Sequence, residues 1–174
     1  MKNKEKTPQA VIKIVVPILI IAVILGIFIL KSNLDKPMAD NTGDFALEAT
    51  AIDLAQLKSY GLPIIIDFGA DSCVPCKEMA PVLQKLNKEM QGKVIVKFVD
   101  VWKNKNATAD FPVDLIPTQF YFDKDGNPFV PRDAEAMQME LYSTNDTNKH
   151  VYTAHQGGMT EAQLRAVLKE MGVE

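Results

Sequence analysis

The feature that most restricts the fold is a pair of cysteines placed where a strand pattern changes into a helix pattern. The chain has two cysteines in 174 residues, and they occur together as Cys73-Val74-Pro75-Cys76. Before them, the apolar run Ile64 to Phe68, broken only by Asp67, predicts a strand that is buried on both faces. After them, apolar residues from Cys76 to Met90 recur at helical spacing. We therefore predict a strand, a short turn and a helix that begins at the cysteines.

Two thiols at the start of a helix indicate redox chemistry. A helix N-terminus carries unpaired N–H groups and a partial positive charge, which stabilise a thiolate. Cys73 is accordingly the predicted nucleophile, and Cys76, one turn further in, is the predicted resolving thiol. A purely structural bridge is disfavoured, since closing so short a loop removes little entropy from the unfolded chain. A zinc site built with His150 and His155 is disfavoured because no second C-x-x-C motif occurs, so no metal is expected.

A separate apolar segment near the N-terminus predicts a membrane anchor. From Ile14 to Leu30 there are 17 residues without a charge, bracketed by Lys13 and Lys31. As a helix with a rise of about 1.5 Å per residue, this segment would be about 25 Å long, near the lower limit for a bilayer core of about 30 Å. A transmembrane helix at 14–30 is therefore predicted.

Two other interpretations of this segment stay open, a cleaved signal peptide and a buried helix of a soluble domain. A signal peptide usually has about 7–15 apolar residues and a small-residue cleavage site. This run is longer, and Lys31 to Asp35 offers no such site. Four lysines precede the segment and two follow it closely. This excess predicts a cytoplasmic N-terminus (1–13) and an extracytoplasmic remainder, anchored by a single pass in the cell membrane.

The remainder of the chain is acidic. Residues 1–36 carry six lysines and two acids, whereas residues 37–174 carry 13 basic and 20 acidic side chains. An acidic domain disfavours nucleic acid and anionic membrane surfaces as partners. The polar stretch 31–43, with Pro37 and Gly43, is interpreted as a linker to a domain spanning 44–174.

Patterns along this domain alternate between strand and helix. A short strand at Phe45–Thr50 and a helix at Ile52–Tyr60 precede the buried strand. After the cysteine helix, the patterns predict a strand at Lys93–Val101, a short helix at Asn104–Phe111, a strand at Thr118–Phe122, a hairpin of Met137–Ser143 with His150–His155, and a last helix capped by Thr160. This order predicts an α/β domain with a mixed sheet.

Several of these segments together resemble the thioredoxin family. They are Ile65 to Phe68, Cys73 to Lys77, Met79 to Leu83 with its mid-helix Pro81, Ile116-Pro117-Thr118, and Gly157 to Leu164. The resemblance covers nearly all of the chain after the apolar segment. It implies a thioredoxin fold, in which a mixed central sheet is flanked by helices, and a thiol–disulfide oxidoreductase that uses the Cys73/Cys76 dithiol and no other cofactor.

The resemblance also implies roles for further residues. Asp67 corresponds to a family aspartate that lies behind the resolving thiol and relays its proton, and burial alone should raise the pKa of this carboxyl. Lys97 matches a family lysine near that aspartate. A cis bond before Pro117 would place the Ile116 backbone beside the cysteines, where it can pair with an extended substrate. Val74 and Pro75 would contact substrate from the motif itself.

The sequence departs from the family pattern at three places. Gly69 and Ser72 stand where thioredoxins usually have tryptophans, and Trp102 is interpreted as a packing residue. Val74 replaces the usual glycine. An insertion at about 128–149 is either a partner-docking hairpin or a lengthened sheet edge.

The resulting functional hypothesis is an extracytoplasmic reductase of protein disulfides. Pro75, Asp67 and Ile116 resemble the reducing branch of the family, and no histidine between the cysteines stabilises a thiolate. Such a reductase requires electrons from an integral membrane thiol carrier, and its substrates would be disulfide-bearing proteins such as apocytochrome c or others in envelope thiol homeostasis. The alternatives are a disulfide-forming oxidase and a redox-inert binding module or metal chaperone.

Overall fold

The computed structural model describes residues 43–173, a range in which the cysteine helix is the longest helix. This range starts with a 3₁₀ turn at Gly43–Phe45 and contains three α-helices and five strands. In chain order they are α1 (Leu54–Ser59), β1 (Ile64–Gly69), α2 (Val74–Glu89), β2 (Ile95–Asp100), β3 (Thr118–Phe122), β4 (Met139–Ser143), β5 (His150–Gln156) and α3 (Glu161–Glu170).

Strand β1 lies inside the sheet because its residues are apolar on both faces. All residues of β1, β2 and β3 are buried, and the strand order is β2-β1-β3-β5-β4. The β1–β2 pair is parallel and the other pairs are antiparallel. A parallel pair requires a crossover, and α2 supplies it. The cysteines at the start of α2 therefore lie at the carboxyl ends of β1 and β2.

Alternation of side chains along β1 divides the core into two layers. Ile65 packs in the layer that contains the apolar faces of α2 and α3. Ile64, Ile66 and Phe68 pack in the opposite layer, with residues of α1 and of the loop before β3. Because side chains alternate along a strand, Asp67 lies on the face of Ile65, under α2. The one acid of β1 thus enters the layer that holds the cysteine helix.

Most of the predicted elements are confirmed, and two are wrong. The predicted strand at Phe45–Thr50 is a 3₁₀ turn followed by a single bridge between Glu48 and Phe98. The predicted helix at Asn104–Phe111 is a series of turns, in which Ala107 and Phe111 donate backbone hydrogen bonds to residues three positions earlier. Asn, Thr and Asp side chains in this segment compete for backbone groups and favour turns.

Residues 128–149, which we predicted to be an insertion, contain β4, the strand at one edge of the sheet. Strand β4 pairs with β5, and its residues Glu140, Leu141 and Ser143 are exposed. Within residues 43–173 the structure has no helix long and apolar enough to cross a membrane. The predicted anchor (14–30), the segment before it and the linker up to residue 42 lie outside the described residues.

Candidate active site

The two cysteines occupy the first turn of α2. Cys73 is the N-cap, with extended backbone angles (φ −78°, ψ 125°), and its backbone N–H donates to the Ala70 carbonyl at 3.1 Å. Pro75 occupies the first turn, where a missing N–H is no loss. Both thiols are free; Cys73 is partly exposed, whereas Cys76 is only 4% exposed. This difference in access matches the predicted order of nucleophile and resolving thiol.

A cis-proline loop faces the nucleophile. The Ile116–Pro117 peptide bond is cis, as the family resemblance implies. The Cys73 thiol donates to the Ile116 carbonyl, with sulfur and oxygen 3.9 Å apart. Gly157 holds this loop from the other side, since its N–H donates to the Pro117 carbonyl at 2.8 Å. The rim of the site, formed by Val74 and Pro75 beside Cys73, is apolar, and Val74 is 66% exposed.

Burial of Cys76 makes its proton hard to remove. Burial is the main cause that raises the pKa of this thiol to about 12, and the neighbouring Cys73 raises it further, while a backbone hydrogen bond from Ala70 acts in the opposite direction. A thiol with this pKa is almost entirely protonated near neutral pH. The resolving step therefore requires a base close to the Cys76 sulfur.

Asp67 provides a buried carboxyl group close to Cys76. The side chain is 1% exposed, and burial raises its pKa to about 7, although a hydrogen bond from Gln119 lowers it. Its Oδ2 has no hydrogen-bond partner among residues 43–173. A methyl group built on Gly69 would lie 3.3 Å from this oxygen and 3.2 Å from the Cys76 sulfur. The carboxylate oxygen and the thiol sulfur therefore both border the space that the absent side chain of Gly69 leaves.

The placement of Lys97 beside Asp67 is wrong. In the β1–β2 register Asp67 pairs with Phe98, and Lys97 pairs with Ile66. Lys97 therefore points to the opposite face of the sheet, where its ammonium donates to the carbonyls of Gly43 at 3.3 Å and Ala46 at 2.7 Å. Burial lowers the pKa of this lysine. Phe98 occupies the position beside Asp67, so that neighbour carries no charge.

We expect Lys97→Met to leave the redox chemistry unchanged, because the sheet separates this side chain from the thiols. The rate of reduction of an accessible protein disulfide, measured from pH 5 to 9, should stay within about twofold of the wild-type rate at each pH. Thermal unfolding should detect a small loss of stability, since two carbonyls lose a donor. A changed pH dependence of the rate would contradict this expectation and show that Lys97 influences the ionisation of the active-site groups.

Asp100, which the sequence interpretation missed, joins two loops at the edge of the sheet that carries the cysteines. Its Oδ2 accepts from the backbone N–H of Asp71, and its Oδ1 accepts from those of Trp102 and Lys103, each at 3.0 Å. Burial alone would raise the pKa of this carboxyl, but the three N–H donors outweigh it and lower the pKa. Its position at the end of a strand parallel to β1 was the signal that could have identified it.

Trp102 is not the packing residue that the sequence suggested. Its side chain is 55% exposed at the end of β2, next to the loop that Asp100 holds.

The part of the chain that the structure describes also offers no ligand set for the zinc site considered above. Among residues 43–173, no group of three or more His, Cys, Asp or Glu side chains is placed to hold a metal ion.

Gln119 and His155 also belong to the surroundings of Asp67, and the sequence interpretation assigned neither of them to the active site. The Gln119 amide donates to Asp67 Oδ1 at 2.8 Å, and the His155 ring lies on the far side of Gln119, with Nδ1 3.0 Å from Oε1. Gln119 lies 52 positions after Asp67, and His155 lies 36 positions after Gln119, so only the strand pairings bring the three side chains together.

A dithiol at a helix N-terminus, opposite a cis-proline loop and above a buried carboxyl, defines the site of a thiol–disulfide oxidoreductase. Residues 54–147 match the sequence model of thioredoxin. Thioredoxin of Rickettsia conorii is 32% identical over 85 residues, which cover 49% of this chain and 75% of that protein. Thioredoxin C-2 of Corynebacterium nephridii is 32% identical over 108 residues, covering 62% of this chain and 94% of that protein.

Among solved structures, chloroplastic thioredoxin z aligns with a TM-score of 0.49 and 20% identity, covering 72% of this chain and 93% of its own. The chain belongs to the thioredoxin family. The thiol–disulfide oxidoreductase activity expected from the cysteine pair is confirmed by this membership.

Proposed function

We propose that this protein is a membrane-anchored, extracytoplasmic reductase of protein disulfides. The Cys73 thiolate attacks a substrate disulfide, forms a mixed disulfide and expels one substrate thiolate. Cys76 gives its proton to Asp67 and attacks the Cys73 sulfur, which releases the second substrate thiolate. The dithiol becomes a disulfide as the substrate disulfide becomes two thiols, so two electrons pass to the substrate.

The reducing direction is supported by the residues between the cysteines and by the burial of Cys76. Strong oxidants of this class owe their potential to a stabilised reduced form. Here Val74 and Pro75, between the thiols, have no side-chain donor for a thiolate, and burial keeps the Cys76 thiol protonated. A reduced form without such stabilisation gives up its electrons readily.

Substrate binding is proposed at the rim that surrounds Cys73. The Ile116 carbonyl faces the nucleophile, and its backbone next to Pro117 can pair with an extended segment of the substrate. Val74 and Pro75 supply apolar contacts from the first turn of α2. The pairing fixes the substrate disulfide, while the open rim accepts different side chains.

The compartment is proposed from the apolar run Ile14–Leu30 and the lysine excess before it. A reductase outside the cytoplasm needs a supply of electrons, so an integral membrane thiol carrier is its proposed donor. Its substrates are disulfide-bearing proteins of the outer compartment, and apocytochrome c is the first to test. The redox-active disulfide Cys73–Cys76 serves as the only electron-carrying group.

We expect the reduced domain to cleave accessible protein disulfides and the two serine variants to differ. Cys76→Ser should accumulate the mixed disulfide through Cys73, since the resolving thiol is gone, and Cys73→Ser should form none. The reduction potential should lie nearer the value of about −270 mV known for thioredoxin than the value of about −120 mV of strong oxidants. Mixed disulfides trapped by Cys76→Ser in cells would then identify the substrates.

Three outcomes would contradict this function. A potential above about −170 mV would favour a disulfide-forming oxidase. An unchanged cellular function in Cys73→Ser would favour a redox-inert binding module. For the compartment, a maleimide that cannot cross membranes should label Cys73 in intact cells, with Cys73→Ser as the control; labelling only after lysis would place the domain in the cytoplasm.

A further inference from the structure

A row of hydrogen-bonded polar side chains crosses three strands beneath the cysteine helix. Asp67 on β1 pairs with Gln119 on β3, and Gln119 pairs with His155 on β5. All three side chains are buried, with exposed fractions of 1%, 0% and 3%. Burying polar groups costs free energy unless each is hydrogen-bonded, so packing alone does not explain this row of polar side chains.

The contacts of Gln119 fix the orientation of its amide. Its Nε2 donates to Asp67 Oδ1 at 2.8 Å and to the Gly157 carbonyl at 3.2 Å. A carbonyl only accepts, so the NH₂ group must face Asp67 and Gly157. Oε1 then faces His155 and accepts a hydrogen bond from Nδ1 at 3.0 Å. His155 therefore carries a proton on Nδ1.

This orientation favours the ionised form of Asp67. An N–H donor stabilises a carboxylate, whereas a flipped amide would present its oxygen and favour the protonated acid. The hydrogen bond from His155 and the Gly157 carbonyl both oppose that flip. His155 stays neutral near pH 7, since burial lowers its pKa, although a hydrogen bond with the Gly157 backbone acts against this.

We propose that Gln119 and His155 are positioning residues, which hold one oxygen of Asp67 and keep the other free to take the proton of Cys76. This inference rests on the proposed role of Asp67 as the base of the resolving step. Gln119 acts on Asp67 directly, and His155 acts through Gln119.

The other groups that face Asp67 leave this assignment intact. Helix α2 presents Cys76, which is the proton donor in the step. Strand β3 presents Tyr121, whose burial raises its pKa well above its ordinary value, so it remains neutral. Strand β2 presents Phe98, which carries no charge. Gln119 is thus the hydrogen-bond donor to Asp67 within residues 43–173.

Single-turnover reduction of 5,5′-dithiobis(2-nitrobenzoate) by the full chain separates the two thiols. The first thionitrobenzoate ion is released when Cys73 attacks. The second is released when Cys76 loses its proton and attacks the Cys73 sulfur. The pH dependence of the second phase reports the proton acceptor, and the first phase serves as an internal control.

We expect Gln119→Leu to move the inflection of the second phase upward by about one pH unit and to slow it about fivefold at pH 7, since the carboxylate loses a donor. His155→Leu should move it in the same direction by less, because Gly157 still holds the amide. His155→Asn should restore the wild-type profile, since Nδ2 of Asn can replace Nδ1 of His as donor. Gln156→Leu, which alters the neighbouring, partly exposed position of β5, should leave the inflection of the second phase unchanged, because this side chain contacts Glu140 and Tyr142 and not Asp67.

The results distinguish this inference from the function on which it rests. If Asp67→Asn leaves the second phase unchanged, the proposed base is wrong, and the inference fails with it. If Asp67→Asn slows that phase while Gln119→Leu and His155→Leu keep the wild-type inflection, only the inference is overturned. Should Gln119→Leu fail to fold, the comparison of His155→Leu with His155→Asn decides, because a purely structural role predicts the same inflection in both.

Discussion

Asp67→Asn should make the domain more stable above pH 7, although it removes the proposed base. Burial raises the pKa of the folded carboxyl from its ordinary value of 3.8 to about 7. Below pH 4 the acid is protonated in both states and the effect vanishes. Between pH 4 and 7 the unfolded chain ionises first, so the wild type loses stability as the pH rises. This loss reaches about 4 kcal/mol, and an uncharged Asn avoids most of it.

Chemical unfolding of the two proteins at pH 4 and pH 8 measures this effect. At pH 8 Asp67→Asn should be more stable than wild type by about 2–4 kcal/mol. At pH 4 it should be equally stable or up to about 2 kcal/mol less stable, since the new Asn amide lacks a full set of partners at any pH. Asp114→Asn, at an exposed position, is the matched control and should shift neither value by more than about 0.5 kcal/mol. A wild type as stable at pH 8 as Asp67→Asn would mean that the carboxylate is solvated.

The same variant should be slower as well as more stable. Without the carboxylate, the resolving step should slow about tenfold at pH 7. This is less than the hundredfold or more typical of a positioned base, because a groove lined by Cys76, Ala80 and Phe98 admits water to the thiol. Stability and activity would then change in opposite directions at one residue, as expected where a buried ionisable group is kept for chemistry at a cost in stability.

Local patterns were sufficient to predict much of this site. A continuous apolar run marks β1 as buried, so its single acid, Asp67, was predicted to have a raised pKa. Periodicity and the cysteine spacing predicted Cys73 at a helix start, and the family resemblance implied the cis bond at Pro117, which the structure contains. Each of these inferences depends on residues that are neighbours in sequence or share one motif.

Register and strand pairing could not be predicted in the same way. A slip of one residue moves a side chain to the other face of a sheet, and this is how Lys97 was assigned to the place that Phe98 holds. No local pattern identifies Gln119 and His155 as neighbours of Asp67. Their contacts depend on the strand register, which pairs Gln119 with Asp67 and His155 with Gln119. Asp100 similarly acquires its role from the loop that precedes Cys73.

Asp100→Ala should destabilise the domain by about 2–4 kcal/mol at pH 7. Three backbone N–H groups lose a charged acceptor, and charge-assisted hydrogen bonds are stronger than neutral ones. The folded pKa of Asp100 is lowered, so its contribution is present above the ordinary value of 3.8 and is lost as the pH falls through the folded value. The advantage of wild type over Asp100→Ala should therefore shrink below pH 4. Ionisation of Asp100 stabilises the fold, whereas ionisation of Asp67 destabilises it.

Asp100→Asn separates the two loops that this carboxylate joins. If the amide oxygen takes the place of Oδ1, it still accepts from Trp102 and Lys103, but an NH₂ group then faces the N–H of Asp71. We expect an intermediate loss of stability together with a slower attack by Cys73, because the turn that leads to the nucleophile is no longer held. Lys103→Met, which removes the ion pairs of an exposed ammonium group with Asp71 and Asp100, should cost less than about 1 kcal/mol. Equal losses in Lys103→Met and Asp100→Ala would show that ion pairing, and not the backbone donors, holds the turn before Cys73.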